Sequence, residues 1–334
     1  MRAFEYAAPK ERQQALGLLG RNWGDTEILA GGTDLLSLMK DDIVTPKRLV
    51  NIKGVAGPEL HAIMRKQNGV QIGALVHLAD LPNASDIKQH YSMLSNAAME
   101  AASPQIRNMA TIGGNICQRP RCWYFRNGFG LLGVDKKSGK SLVADGDNRY
   151  HAILGNEGPA YFVSPSSIVP SLIAYGAKVM LVSASGGTRE VPLEKFFVIP
   201  KDENQREHDL KPDEMLTFIT LPAPPAGAKV AHYEVRQKAA FDWPLATCAA
   251  LLEMNGGTVK SARIVMGHVA PIPWVSNEAV HAITGKQVTE ETADAAGAAA
   301  VANAKSLGRN AYKVKLARVA VKRAILSAAK GAQA

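Results

Sequence analysis

Three features of the sequence predict an α+β protein built from more than one unit. The chain has 334 residues, about twice the usual length of a single domain. Strand-like and helix-like stretches intermix up to Leu221-Pro222-Ala223-Pro224-Pro225-Ala226-Gly227, where prolines and glycine mark a linker. Beyond the linker, strand-like runs come first and helix-like runs follow, the order of an α+β domain. The expected division is 1–55, 56–222 with an inserted loop at 115–150, and 228–330.

In chain order, Met1 to Glu5 run straight into a polar, helix-like segment, and Pro9 can open a helix that carries Ala15, Leu16, Leu18 and Leu19. Glu27 to Ala30 reads as a short strand that runs into Gly31-Gly32-Thr33-Asp34, with a helical turn from Leu35 to Met39. Arg48 to Ile52 and Val70 to Gly73 read as strands, and the Ala/Met-rich stretch Tyr91 to Ala101 as a helix. From Thr111 to Tyr150 the apolar periodicity fades, which predicts a long functional loop. Regular structure is expected again at Tyr161 to Val163, Ile168 to Tyr175 (helix) and Lys178 to Val182 (strand). After the linker, Lys229 to Val235, Leu245 to Leu252 and Val259 to Met266 read as strands. Glu278 to Thr284, Glu290 to Lys305 and Ala311 to Ala329 read as helices.

Composition narrows the function classes. The chain is 46% hydrophobic and 21% charged, values that suit a soluble globular protein able to bury a core. The net charge is +9, but the basic residues are scattered, without the basic stripe and interleaved aromatics of a nucleic-acid binder. The densest basic run, Lys305 to Arg323, reads as an amphipathic helix with a basic outer face, suited to solvent or to an acidic partner. Three cysteines exclude a disulfide-built fold. No apolar run reaches the length of a membrane span, and no leader is read at the start, so the chain is expected in the cytoplasm, or in the periplasm if co-exported with a signal-bearing partner. His77, His151, His232 and His268 lack metal-ligand spacing, and no G-x-S-x-G elbow supports hydrolase chemistry.

Two motifs carry chemistry. In Leu29-Ala30-Gly31-Gly32-Thr33-Asp34-Leu35, glycines after a strand let backbone N–H groups approach a diphosphate without a side chain in the way. Thr111-Ile112-Gly113-Gly114-Asn115 repeats that chemistry with a hydroxyl, two glycines and an amide. A dinucleotide has two phosphates and two ends, so two such turns meeting over it make physical sense. Neither turn has the G-x-G-x-x-G pattern of a Rossmann fold or the Lys of a P-loop.

The order of these motifs, with Ile72-Gly73-Ala74 and Ser103-Pro104-Gln105-Ile106-Arg107-Asn108 between them and Gly267-His268-Val269-Ala270-Pro271-Ile272-Pro273 and Asn310-Ala311-Tyr312-Lys313-Val314 after them, resembles the FAD-binding (medium) subunit of molybdenum hydroxylases. Asn115 to Arg126 and Asn148 to Ile153 are most similar to periplasmic aldehyde oxidoreductase FAD subunits. The resemblance covers nearly the whole chain. It implies a two-subdomain FAD-binding fold of the vanillyl-alcohol-oxidase/PCMH type followed by an α+β C-terminal domain. It implies FAD contacts at Leu29, Ala30, Gly31, Gly32, Thr33, Asp34, Leu35, Ala74, Ala102, Ile106, Thr111, Gly113, Gly114, Asn115, Ser167 and Lys238. It further implies a large molybdenum-cofactor subunit that oxidises the substrate, a small 2Fe-2S subunit that feeds electrons to FAD, and an external acceptor that drains them.

The sequence departs from such relatives at two places. Their loop carries four cysteines on a 4Fe-4S cluster, whereas only Cys117 and Cys122 stand here, and a cubane normally needs four thiolates. No intact cluster is therefore expected; the pair is read as free thiols, a local disulfide or relics of a lost site. Cys248, in an apolar run, is expected in a core. Many relatives place Asp where Ser167 stands, so no charge is expected there. Within Arg236 to Pro244, Lys238 is expected beside the isoalloxazine, where a cation would favour reduced flavin. The two other readings are a free-standing flavin oxidoreductase and a degenerate assembly subunit.

Overall fold

The computed structural model describes residues 1–238 and 242–331. Three sheets succeed one another along the chain. The first is parallel: Arg48–Asn51 lies between Glu5–Ala7 and Thr26–Leu29. The second is antiparallel, with Gly69–Gly73 and Glu214–Pro222 inside, flanked by Ile63–Lys66 on one edge and Lys178–Ser183 with Thr188–Pro192 on the other. The third runs Trp274–Val275, Thr258–Gly267, Ala246–Asn255, Lys229–Val235, all antiparallel.

Period-2 patterning explains how the third sheet is held. Ala249, Leu251 and Val265 join a core shared with Leu94, Ile173, Val179 and Ile219. Their alternates Cys248, Ala250, Leu252, Ile264 and Met266 face a second core built with Ala293, Ala296, Ala317, Val321 and Ile325. Successive side chains point to opposite faces of a strand, so a run apolar at every position, such as Cys248 to Leu252, is what a sheet covered on both faces requires. The C-terminal helices Asn277–Ile283, Glu290–Ala300 and Ala311–Lys330 form the outer layer. Cys248 is fully buried there, as its apolar surroundings predict.

Several expectations are corrected. The polar segment after the opening begins as the strand Glu5–Ala7, paired in parallel with Arg48 to Val50, and turns helical only at Arg12–Gly17; tertiary pairing overrides weak local propensity. The stretch from Thr111 to Tyr150 is mostly turns but holds short helices at Ile112–Ile116 and Trp123–Arg126. Tyr161 to Val163 is not in a helix or strand. Strand Glu214–Pro222 takes in the first two residues of the expected linker. The basic C-terminal helix begins at Ala311, and Lys313 is not on its outer face: it is 1% exposed.

Candidate cofactor-binding site

Strand Thr26–Leu29 delivers Ala30 to Leu35 to the wall of a cleft, and Ala74, Thr111, Gly113 and Gly114 line the same cleft. The two Gly-Gly turns predicted from sequence therefore converge. The first turn packs backbone to backbone on the chain just ahead of the second: a Cβ on Gly31 would lie 2.0 Å from the Met109 carbonyl oxygen. Gly32 adopts φ +76°, a conformation that favours glycine. On the second turn, a Cβ on Gly113 would lie 2.8 Å from the Ala74 Cβ. Thr111 caps the helix Ile112–Ile116, its Oγ1 accepting from the Gly114 N–H at 3.1 Å.

The two turns differ in what they offer a ligand. The N–H groups of Gly32, Thr33 and Asp34 donate to no acceptor among the described residues. Gly113 donates instead to the Ala74 carbonyl (2.9 Å) and Gly114 to Thr111. The first turn thus presents free amides of the kind that hold a diphosphate, and the second contributes bare backbone surface. Bulk at Gly31 or Gly113 would prise the walls apart, so the residues present fit a flat, anionic dinucleotide.

Asp34 lines the cleft, but its carboxylate serves the inserted loop. It accepts from the Arg119 N–H at 2.8 Å, Arg121 Nη1 at 2.6 Å and Arg126 Nη2 at 2.8 Å. Arg121 also donates to the Gln118 side chain and lies over the Trp243 ring at 4.6 Å. Deeper in the cleft, Arg119 pairs with buried Glu207, and Arg206 pairs with Glu27 at 2.7 Å while stacking on Trp23. Glu207 stays below the usual carboxylate range: burial pushes its pKa up, but Arg119 and the neighbouring cations outweigh it. Arg119, Arg121, Arg126 and Arg206 were not anticipated. The spacing Arg119, Arg121, Arg126 opposite a lone Asp in the Gly-Gly turn was the available signal.

The other expected contacts lie outside the cleft lining. Leu29 packs beneath it with Met39 and Leu49. Ile106 is exposed, and Ala102 holds a left-handed φ of 49° just before the helix Pro104–Met109. The Asn115 side-chain oxygen accepts from buried Ser166 at 2.6 Å, and Ser167 is buried next to it. Lys238 is exposed, its N–H donating to Asp242; Ala239, Ala240 and Phe241 lie outside the described residues. The cation held in place near Lys238 is Arg236, which pairs with Glu234 and with Glu100. Glu100, His232 and Glu234 bring ligand-type atoms together, but the Arg236 guanidinium already bridges the two carboxylates. Glu234, where burial opposes ionisation, is nonetheless held at a pKa of about 2 by the His232 ring and Arg236.

Cys117 and Cys122 are free thiols. Cys117 lines the cleft, and burial followed by the nearby Glu207 charge pushes its pKa up to about 12. Cys122 lines a different cavity, and burial raises its pKa too. The alternative of a local disulfide is thereby removed.

Residues 2–224 match the family described as the FAD binding domain in molybdopterin dehydrogenase, and residues 231–328 match the CO dehydrogenase flavoprotein C-terminal domain. The chain belongs to the FAD-binding subunits of molybdenum hydroxylases. As a member it is an oxidoreductase subunit that carries FAD for electron transfer. It is 32% identical to the aldehyde oxidoreductase FAD-binding subunit PaoB of Escherichia coli K12, over 82% of this chain and 84% of the relative. It is 30% identical to the carbon monoxide dehydrogenase medium chain of Hydrogenophaga pseudoflava, over 97% and 96%. A solved carbon monoxide dehydrogenase from that organism superposes with a TM-score of 0.76 over 98% of this chain and 97% of the other. Quinoline 2-oxidoreductase from Pseudomonas putida 86 gives 0.75 at 25% identity, over 100% and 99%. Such flavin subunits are chains of multi-subunit enzymes. Among the described residues no helix is long and apolar enough to cross a membrane.

Proposed function

We propose that this chain holds FAD between its two Gly-Gly turns and relays electrons from a small 2Fe-2S subunit to an external acceptor, while a large molybdenum-cofactor subunit oxidises an organic substrate such as an aldehyde or heteroaromatic. The isoalloxazine supplies the redox chemistry; the protein supplies binding, orientation and electrostatics. The free amides of Gly32, Thr33 and Asp34 bind the diphosphate. Gly31 and Gly113 keep the walls close enough to exclude water. Asp34 fixes the arginine-bearing loop over one end of the cleft. Buried Ser167 brings no charge to the flavin end, and Lys238 is the cation expected to act there. The complex works in the cytoplasm, or in the periplasm if carried there by an exported partner.

The observation that carries this reading is the approach of Gly31 to the Met109 carbonyl, which joins the two turns into one bare-backbone cleft. Purification of the native complex tests it. A flavin spectrum, copurifying large and small subunits, and bleaching by substrate only when both are present are the expected results. A colourless chain, or one that purifies alone and turns over unaided, overturns it.

A further inference from the structure

The parallel sheet brings one more cation to the first Gly-Gly turn. Strands Thr26–Leu29 and Arg48–Asn51 run side by side, with Leu29 opposite Asn51. Both therefore end at the same edge of the sheet, the carboxyl edge at which parallel strands offer ligand sites. The first strand continues into Ala30 and the Gly-Gly turn, the second into Ile52 and Lys53. Ala30 and Ile52 both line the flavin cleft.

Lys53 bridges these two strand ends. Its side chain is exposed, and Nζ donates to the Ala30 carbonyl at 3.0 Å. Among the described residues the ammonium meets no carboxylate, so its charge is spent on that carbonyl. The segment that carries it is fastened in turn. Asn51 accepts from the Lys53 N–H at 3.1 Å, and its Nδ2 donates to the Tyr6 hydroxyl at 2.6 Å. Tyr6 belongs to strand Glu5–Ala7, which flanks Arg48–Asn51 on its other side.

Peptide geometry gives this contact a consequence. A trans peptide sets its N–H opposite its C=O, so an ammonium that holds the Ala30 carbonyl turns the Gly31 N–H the other way. That N–H, like those of Gly32, Thr33 and Asp34, donates to no acceptor among the described residues. Two glycines in succession leave such a turn many conformations. Lys53 removes that freedom at the first peptide of the turn.

We propose that Lys53 is a positioning residue for the diphosphate. It fixes the Ala30–Gly31 peptide so that the run of free amides from Gly31 to Asp34 is presented to the ligand. The inference rests on the reading of this cleft as the FAD site. A hydrogen bond from a charged donor is stronger than a neutral one, but exposure to solvent limits what it contributes, so the effect is moderate.

Titration calorimetry of the full chain, freed of flavin and titrated with FAD, tests this. Lys53→Met, which has no donor, is expected to bind FAD about fivefold more weakly. Its melting temperature stays that of the native chain, since the side chain is exposed. The visible spectrum of bound FAD stays native too, because the isoalloxazine is not addressed. Lys53→Arg keeps both donor and charge and restores native affinity. Undiminished affinity in Lys53→Met, an altered spectrum of the bound flavin, or an Arg variant as weak as the Met variant overturns the inference and leaves the FAD site standing. A native chain that takes up no FAD is the distinct failure: it removes the reading of the cleft, and the role of Lys53 with it.

Discussion

Gly31 packs directly against the carbonyl oxygen of Met109, and a Cβ at Gly31 would stand 2.0 Å from that oxygen. No rotamer relieves such a contact, because both partners are backbone. Gly31→Ala must move one turn away from the other. FAD content, read as the flavin-to-protein absorbance ratio of the purified chain, is expected to fall at least tenfold, about 1.4 kcal/mol of binding or more. Gly17→Ala is the control. Nothing lies within 4 Å of its would-be Cβ, and it closes the helix Arg12–Gly17, so flavin content stays unchanged. Full flavin in Gly31→Ala would refute the backbone-contact account.

Asp34→Asn tests the anchoring of the inserted loop. The Arg121 and Arg126 side chains are 27% and 17% exposed, so losing their shared carboxylate strands two poorly solvated cations. Breaking such partly buried pairs costs on the order of 3 kcal/mol. The melting temperature should drop, and trypsin should cut between Arg119 and Arg126 faster than in the native chain. Unchanged cleavage kinetics would mean the loop is held by other contacts.

The cleft was legible because its signal is local: each Gly-Gly turn follows or precedes an element whose apolar pattern marks it. What the sequence concealed depends on contacts far apart along the chain. Asp34 reads as one more polar residue of a ligand-binding turn until Arg121 and Arg126, 87 and 92 positions away, are folded onto it. Lys313 reads as helix surface because three carbonyls from two distant segments are invisible in a 3.6-residue period. The strand Glu5–Ala7 has no apolar alternation of its own and exists by pairing with Arg48 to Val50. The C-terminal sheet was legible in outline, since its uninterrupted apolar runs are those of strands covered on both faces.

Three buried histidines predict acid lability. Burial draws His151, His208 and His268 each down to about 4, below the unfolded value of about 6.5. The unfolded chain therefore binds more protons between pH 6.5 and 4. Their contribution to stability is complete above pH 6.5 and is lost as the pH falls toward 4, with a slope of up to about 4 kcal/mol per pH unit if all three act. Urea midpoints measured from pH 7 to pH 5 should decline steeply. His208→Phe preserves the stack on Phe196 and should flatten the decline by about a third. A flat native profile would rule out neutral burial of these rings.

Lys313 ties the end of the inserted loop to the turn at His268. Its Nζ donates to Tyr150, His151 and His268 carbonyls at 3.0, 3.0 and 2.8 Å. Met has a similar volume and no donor, so Lys313→Met keeps the packing and leaves the Tyr150 and His268 carbonyls unmatched, while the His151 carbonyl keeps Asn310 Nδ2 at 3.3 Å. At about 1–3 kcal/mol for an unsatisfied buried group, and allowing for non-additivity, a loss of about 3 kcal/mol is expected. The pH dependence reads the cost of burying the ammonium charge. Burial lowers the Lys313 pKa to about 7, below the unfolded value of about 10.4. Between these values the unfolded chain holds the extra proton, so this lysine adds stability as the pH rises. The gap in urea midpoint between native chain and Lys313→Met should therefore widen from pH 7 to pH 9. A gap independent of pH would mean that the carbonyls hold the ammonium charged against burial, with no lowered pKa.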